Sequence, residues 1–196
     1  HGACFAGFVG MLTGLSVRGQ FALSIDERHF GGNPILTGID GILRGFWPVS
    51  HALRHVLVTS PSFDDAKQQL ATIKLAAPVY FILSGTKPGE GALFSRDREE
   101  NPQPLALDNT WYLLETNYDH WIEPPVYDDR RAWGLYYMNQ VKQSGFDKNP
   151  LHTLSQVLAK WPIRNAFTAQ NVIMSAQLNV FDVFIVDNAT VVPPPN

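Results

Sequence analysis

Between Cys4 and Leu15 the chain carries no charged residue, and Pro78 to Ser84 is apolar and aromatic throughout. Segments of this kind offer water no favourable side. They predict inner β-strands covered on both faces, which commits the chain to a layered fold with material packed above and below a sheet. Gly7, Gly10 and Gly14 in the first segment would let another backbone come close. Gln20 to Ile25 alternates and predicts the next strand of a hairpin turned at Arg18-Gly19. Ala92 to Arg96 is expected to pair back onto Pro78 to Ser84 across a Gly- and Pro-rich turn. Leu105 to Leu107 and Trp111 to Thr116 are expected to form another hairpin across Asp108-Asn109. Ala166 to Ala176 and Val180 to Val186 read as the closing strands.

Helical spacing separates these strands. Ile35, Ile39, Ile42, Leu43 and Phe46 predict a helix over Pro34 to Phe46, broken by Pro48. Leu53, Val56 and Leu57 predict a second over Val49 to Thr59. Ser62 before Phe63-Asp64-Asp65 is a capping-box-like start, with Phe63, Ala66, Leu70 and Ile73 on one face of the helix that follows. Asp129 to Gln143 and Leu151 to Lys160 supply two more, Gly145 ending the first. Strands, helices, strands, helices, strands, with mostly antiparallel neighbours, predict an α+β fold of two antiparallel sheets covered by helices. Residues 1–187 form one domain in this reading, and 188–196 a Pro-rich extended tail.

Of the 196 residues 45% are hydrophobic and 17% charged, which supports a substantial core and excludes disorder. Without a basic excess or a Lys/Arg cluster, nucleic acid is not an expected partner. No apolar run reaches the roughly 18 residues of a membrane span. Cys4 is the only cysteine, so neither an internal disulfide nor a cysteine-rich zinc site is predicted, and no cofactor or metal is implied. Protonating all six histidines would carry the net charge from -3 to +3, so an acidic compartment would reverse the surface field. The first residue is His1 and not Met, which reads as a processed product or a piece of a longer polypeptide.

Three clusters could carry chemistry. Asp26-Glu27-Arg28-His29 follows an apolar strand and is either a solvated strand end or a carboxylate at the mouth of a site. In Glu115-Thr116-Asn117-Tyr118-Asp119-His120-Trp121, Asn117 stands where a strand should end. Its amide could face a reacting carbonyl, as in an oxyanion hole, or cap a turn. Asp128-Asp129-Arg130-Arg131 is a charged helix start, or a source of an arginine that orients a carboxylate. Cys4, inside an uncharged Gly-rich run, reads as an inert core residue.

Several stretches resemble segments of the acid ceramidase and N-acylethanolamine acid amidase family, in family order and over nearly the whole chain. They are Phe5-Ala6-Gly7-Phe8-Val9-Gly10-Met11-Leu12-Thr13-Gly14, Asp26-Glu27-Arg28, Pro78 to Gly85, Gly89-Glu90-Gly91, Ser95-Arg96-Asp97-Arg98, Glu115 to Trp121 and Asp128 to Arg131. The FVGMLTG and YFILSG stretches are closer to ceramidase. Pro48-Val49-Ser50, the NYDHW stretch and Val172 to Ala176 are closer to the ethanolamide amidase.

The resemblance implies the αββα sandwich of N-terminal nucleophile amidases. It also implies hydrolysis of a lipid N-acyl amide through a cysteine acyl-enzyme. By the same resemblance Asn117 matches the oxyanion-stabilising asparagine, Arg130 the arginine that orders the site and Glu27 the acidic residue near the nucleophile. Met11 and Leu12 would lie on the acyl-binding side. The family is lysosomal or secreted and glycosylated, with Asn188-Ala189-Thr190 as a sequon here. It is made as one precursor that cuts itself into a smaller α-subunit and a larger β-subunit, and it contacts membranes peripherally. The nucleophile would lie upstream of His1, in an N-terminal segment this chain does not contain, so the fragment alone is expected to be inactive. A homologue that binds lipid or a protein partner without catalysis is the alternative. Activity centred on Cys4 after loss of His1 to Ala3 is a third, disfavoured by the sequence that follows Cys4.

Overall fold

The computed structural model describes residues 1–28, 33–99, 103–108 and 110–186. His29, Asn109, the Asn188 sequon and the whole 188–196 tail lie outside the described residues. The main sheet has six antiparallel strands in sequential order: β1 Gly2–Ala3, β2 Thr13–Ser16, β3 Phe21–Glu27, β4 Val79–Ser84, β5 Gly91–Arg96 and β6 Leu105–Ala106. A second, two-stranded sheet is the hairpin β7 Gln170–Ser175 with β8 Val180–Ile185. Helices α1 Pro34–Leu43, α2 Val49–Thr59 and α3 Phe63–Thr72 come between β3 and β4, while α4 Arg130–Phe146 and α5 Pro150–Leu158 precede β7.

Period-2 alternation sorts the main sheet into two faces. Phe21 and Leu23 of β3, Val79, Phe81 and Leu83 of β4, and Ala92 and Phe94 of β5 pack against Leu53, Val56, Phe63, Ala66 and Leu70 of α2 and α3. Each large side chain buried there is worth about 1.5–3 kcal/mol. On the other face β7 lies against β2 and β3, and α5 packs on β7 with α4 beside it. The layers therefore run helices, sheet, hairpin, helices, an αββα order with a small second sheet.

Local chemistry explains the ends of α1 and α3. Asn33 Oδ1 accepts from the amides of Ile35 and Leu36, capping α1 just before Pro34. Gly45, at φ +71°, ends that helix: its amide donates to Ile42 O and the Phe46 amide to Gly41 O, the two bonds of a Schellman motif. The helix thus stops at Leu43 and not at the expected Phe46. Ser62 caps α3 through Asp65 N–H, and at its other end the buried Arg96 guanidinium donates to the carbonyls of Leu70 and Ile73. Inside α4, Lys142 at φ 58° introduces a kink that the sequence reading missed.

Four further expectations fail. Of the charge-free segment, only Thr13 to Ser16 forms a buried strand. Residues 4–12 run as turns and bends, with Phe5, Phe8 and Val9 exposed. Cys4 is exposed there, not buried in a strand core. Trp111 to Thr116 joins no ladder: Leu105–Ala106 pairs with β5 and not with it. This segment leans on α4 instead: Trp111 contacts the Phe146 ring, and Leu114 fills the space a Cβ would need at Gly134. The apolar row of α1 is also largely uncovered, with Ile35, Leu36, Ile42 and Leu43 exposed.

Candidate active site

The site lies on the hairpin side of the main sheet, at the C-terminal end of β3. There Asp26 stands opposite Tyr80 of β4, and Tyr80 opposite Ser95 of β5, so these side chains share one row on one face. The loop 117–122 and the start of α4 close over that row.

Asn117 is at the centre. Its Nδ2 donates to Asp26 Oδ1 at 2.8 Å and to Glu27 O at 3.0 Å, and its Oδ1 accepts from Arg130 Nη2 at 2.6 Å. The guanidinium fixes the amide's orientation, because a donor must meet the oxygen. Arg130 also grips Asp128 with two bonds, Nε to Oδ1 at 2.7 Å and Nη2 to Oδ2 at 2.6 Å. Of the residues expected at the site, Asn117 and Arg130 therefore touch directly. Glu27 contributes its main-chain carbonyl, and its exposed side chain points away; the carboxylate that reaches Asn117 is that of Asp26. Met11 packs against the helix-side core, while Leu12 is tied to β3 by Ile25 N–H donating to its carbonyl at 3.0 Å.

The charges are tuned in opposite directions. Burial pushes the Asp26 carboxyl above its ordinary value, more than the Glu27 amide, Arg130 and Asn117 pull it down. The bond from Arg130 holds Asp128 below the usual carboxylate range, and Asp128 in turn raises Arg130. Two carboxylates on one arginine are thus driven apart, one kept ionised and one eased toward neutrality.

A second network adjoins the first. Arg28 Nε and Nη2 donate to the two oxygens of Asp119 at 2.8 and 3.0 Å, and the fully buried Tyr80 hydroxyl donates to Asp119 Oδ1 at 2.8 Å. Burial alone would raise Asp119; Arg28 and Tyr80 outweigh it and hold the carboxyl low. Arg131 donates to the carbonyls of Tyr118, Asp119 and Ile122, pinning the same loop from α4. Beneath it the Glu115 side chain is 2% exposed, and its Oε1 lies 3.9 Å from Arg131 Nη2. Its Oε2 has no hydrogen-bond partner among the described residues. Burial pushes Glu115 up to about 7. The spacing of charged residues gave no sign of the roles of Asp119, Tyr80 and Glu115; strand pairing and loop closure bring them together.

Beside Asp128 and Arg130 opens a cavity of about 920 Å³ with Phe5, Tyr127, Trp161 and Phe167 among its walls. Its size is within the range of small-molecule sites, and its lining is partly aromatic. No group of three or more metal-ligating side chains occurs among the described residues.

No family model matches the chain. Acid ceramidase of Pan troglodytes is 36% identical over 189 residues, which is 93% of this chain and 47% of that protein. N-acylethanolamine-hydrolyzing acid amidase of Mus musculus is 39% identical over 181 residues, 89% of this chain and 48% of that protein. A solved structure of the Caenorhabditis elegans ortholog of the latter matches with a TM-score of 0.82 at 28% identity, covering 95% of this chain and 81% of that one. The chain spans about half the length of the curated relatives it matches. The shared architecture is the αββα fold of N-terminal nucleophile hydrolases. Similarity extends through nearly all of this chain and the fold is in common, so in sequence and architecture the chain is similar to acid ceramidase and N-acylethanolamine acid amidase.

Proposed function

We propose that this chain is the later part of the β-subunit of a lipid amidase, which hydrolyses ceramide or an N-acylethanolamine to fatty acid and amine. The nucleophile is a cysteine upstream of His1. Its sulfur adds to the acyl carbonyl, the C–N bond breaks as the amine takes a proton, and water then hydrolyses the thioester. The observation that carries the reading is the contact of Asn117 with both Arg130 and Asp26.

In this arrangement Asn117 supplies the oxyanion donor. Both its amide hydrogens are engaged, so one must be released to the reacting oxygen. Asp26 is the partner suited to letting go: burial raises its carboxyl, so it is neutralised sooner than an ordinary aspartate as pH falls, and a neutral acid holds an N–H less tightly than a carboxylate does. Arg130 keeps the amide oriented during that exchange, and Glu27 fixes its position through the main chain. The cavity beside Arg130 takes the substrate; Met11, packed on the helix-side core, and Leu12, tied to β3, are not among its walls. No step needs a metal or cofactor.

The same reading includes a smaller α-subunit from one precursor, residence in the lysosome or outside the cell, and glycosylation at Asn188. It also includes peripheral membrane contact, for which the exposed row of α1 offers an apolar surface. The test is Asn117→Ala in the full-length processed protein, assayed on both amides at acidic pH. A loss of about 10²–10³-fold in kcat with little change in KM is expected for a transition-state donor. Intact mass must also place a cysteine at the mature terminus. Upstream sequence without a cysteine, or lipid binding without turnover, would leave the non-catalytic reading.

A further inference from the structure

Asn117 reaches its partners from a loop, and loops do not hold an amide to a few tenths of an ångström unaided. Two residues along, the Asp119 carboxylate is held by Arg28, just past the end of β3, and by Tyr80, the second residue of β4. Arg28 follows directly on Asp26 and Glu27, the two residues that receive the Asn117 amide. The bidentate pair thus fastens the loop to the very strand end that Asn117 must meet. Asp119 is 8% exposed and Arg28 Nη1 also reaches Ser95 O at 3.5 Å, so the pair is sheltered from water and anchored on a third strand. A bidentate arginine–carboxylate pair fixes both direction and distance, which a single bond does not. Tyr80 is at 0% exposure, and its hydroxyl has Asp119 as its acceptor.

We propose that Asp119, gripped by Arg28 and Tyr80, is a positioning residue that sets Asn117 against Asp26 and Arg130. It acts through Asn117 and touches no reacting atom. The kinetic part of this inference rests on the amidase reading; the positional part does not.

The experiment is a double-mutant cycle in the full-length processed protein. Asp119→Asn is expected to lower kcat about 10–100-fold with KM within about twofold, as a misplaced oxyanion donor would. Tyr80→Phe, which removes one oxygen and keeps the ring, is expected to lower it about 3–10-fold by the same route and guards against loss of fold in the first variant. In an Asn117→Ala background both substitutions should change kcat by less than about twofold, because the group they position is gone. Equal factors in both backgrounds, or a lowered unfolding midpoint with kcat intact, would overturn the proposal. A crystal structure of the Asp119→Asn protein decides the positional part without turnover. Asn117 displaced from Asp26 supports it, and the 2.8 Å contact retained overturns it. If the wild-type protein cleaves no N-acyl amide, the amidase reading fails, and that structure still decides whether Asp119 places Asn117.

Discussion

Glu115 makes the protein's stability depend on pH in a direction opposite to that of most carboxylates. Its side chain is 2% exposed and burial raises it from 4.5 to about 7, with the Thr116 amide and Arg131 only partly compensating. Arg131 at 3.9 Å is too far for a hydrogen bond. Because the folded value is raised, Glu115 imposes no penalty below the unfolded value, where both states hold the proton. A penalty grows between 4.5 and about 7 and is complete above that. The shift is worth about 3 kcal/mol at about 1.4 kcal/mol per unit. Glu115→Gln, which mimics the protonated acid, should match the wild-type protein near pH ~4 and exceed it by up to ~3 kcal/mol near pH ~8.5. Urea unfolding of both proteins at the two pH values measures this directly. A difference that stays constant with pH, or a glutamine variant weaker at high pH, would show that Glu115 is charged in the folded protein and paired after all.

Two other outcomes follow from geometry already described. Asp26→Asn fixes the site carboxyl in its neutral form, so kcat/KM against pH should lose the limb set by Asp26 ionisation, which lies above the ordinary carboxylate range in the wild-type profile; an unchanged profile would remove Asp26 from the reaction. Gly41→Ala would place a Cβ 2.6 Å from Ala76 Cα, a backbone atom that cannot rotate aside, so α1 must shift at a cost of about 1–3 kcal/mol, read as a lower denaturation midpoint.

Much of the scaffold could be read locally. The Pro78 to Ser84 run, the Ser62 cap and the apolar spacing of α2 and α3 each bring their own physical cause within a few residues. Where the reading failed, the deciding partner was distant. Trp111 to Thr116 has the apolar, aromatic content of a strand, yet content says only that these side chains need cover. Here α4 supplies the cover and no strand does. The row on α1 has the same ambiguity in reverse: spacing shows that an apolar face exists, and most of that face is open in this chain. In the charge-free opening segment, a glycine at position 7 turns the chain where the lack of charge suggested a strand. Gly7 does so at φ +80°.

The carboxylate that meets Asn117 illustrates how a single parity decides chemistry. Asp26 and Glu27 are adjacent, both acidic, and indistinguishable by composition. On a strand they must face opposite ways, and the choice is fixed further back by Phe21 and Leu23, which point into the α2/α3 core. Counting from them, Ile25 and Glu27 fall on the helix side, opposite Phe81 and Val79. Ser24 and Asp26 fall on the hairpin side, opposite Ile82 and Tyr80. The burial of two apolar residues thus selects which acid enters the site. It also sets that acid in line with Tyr80, whose hydroxyl holds the loop bearing Asn117. A one-residue slip of β3 would exchange the two acids and uncover the core together, so the energy that holds the sheet in register is the same energy that keeps Asp26 at the site.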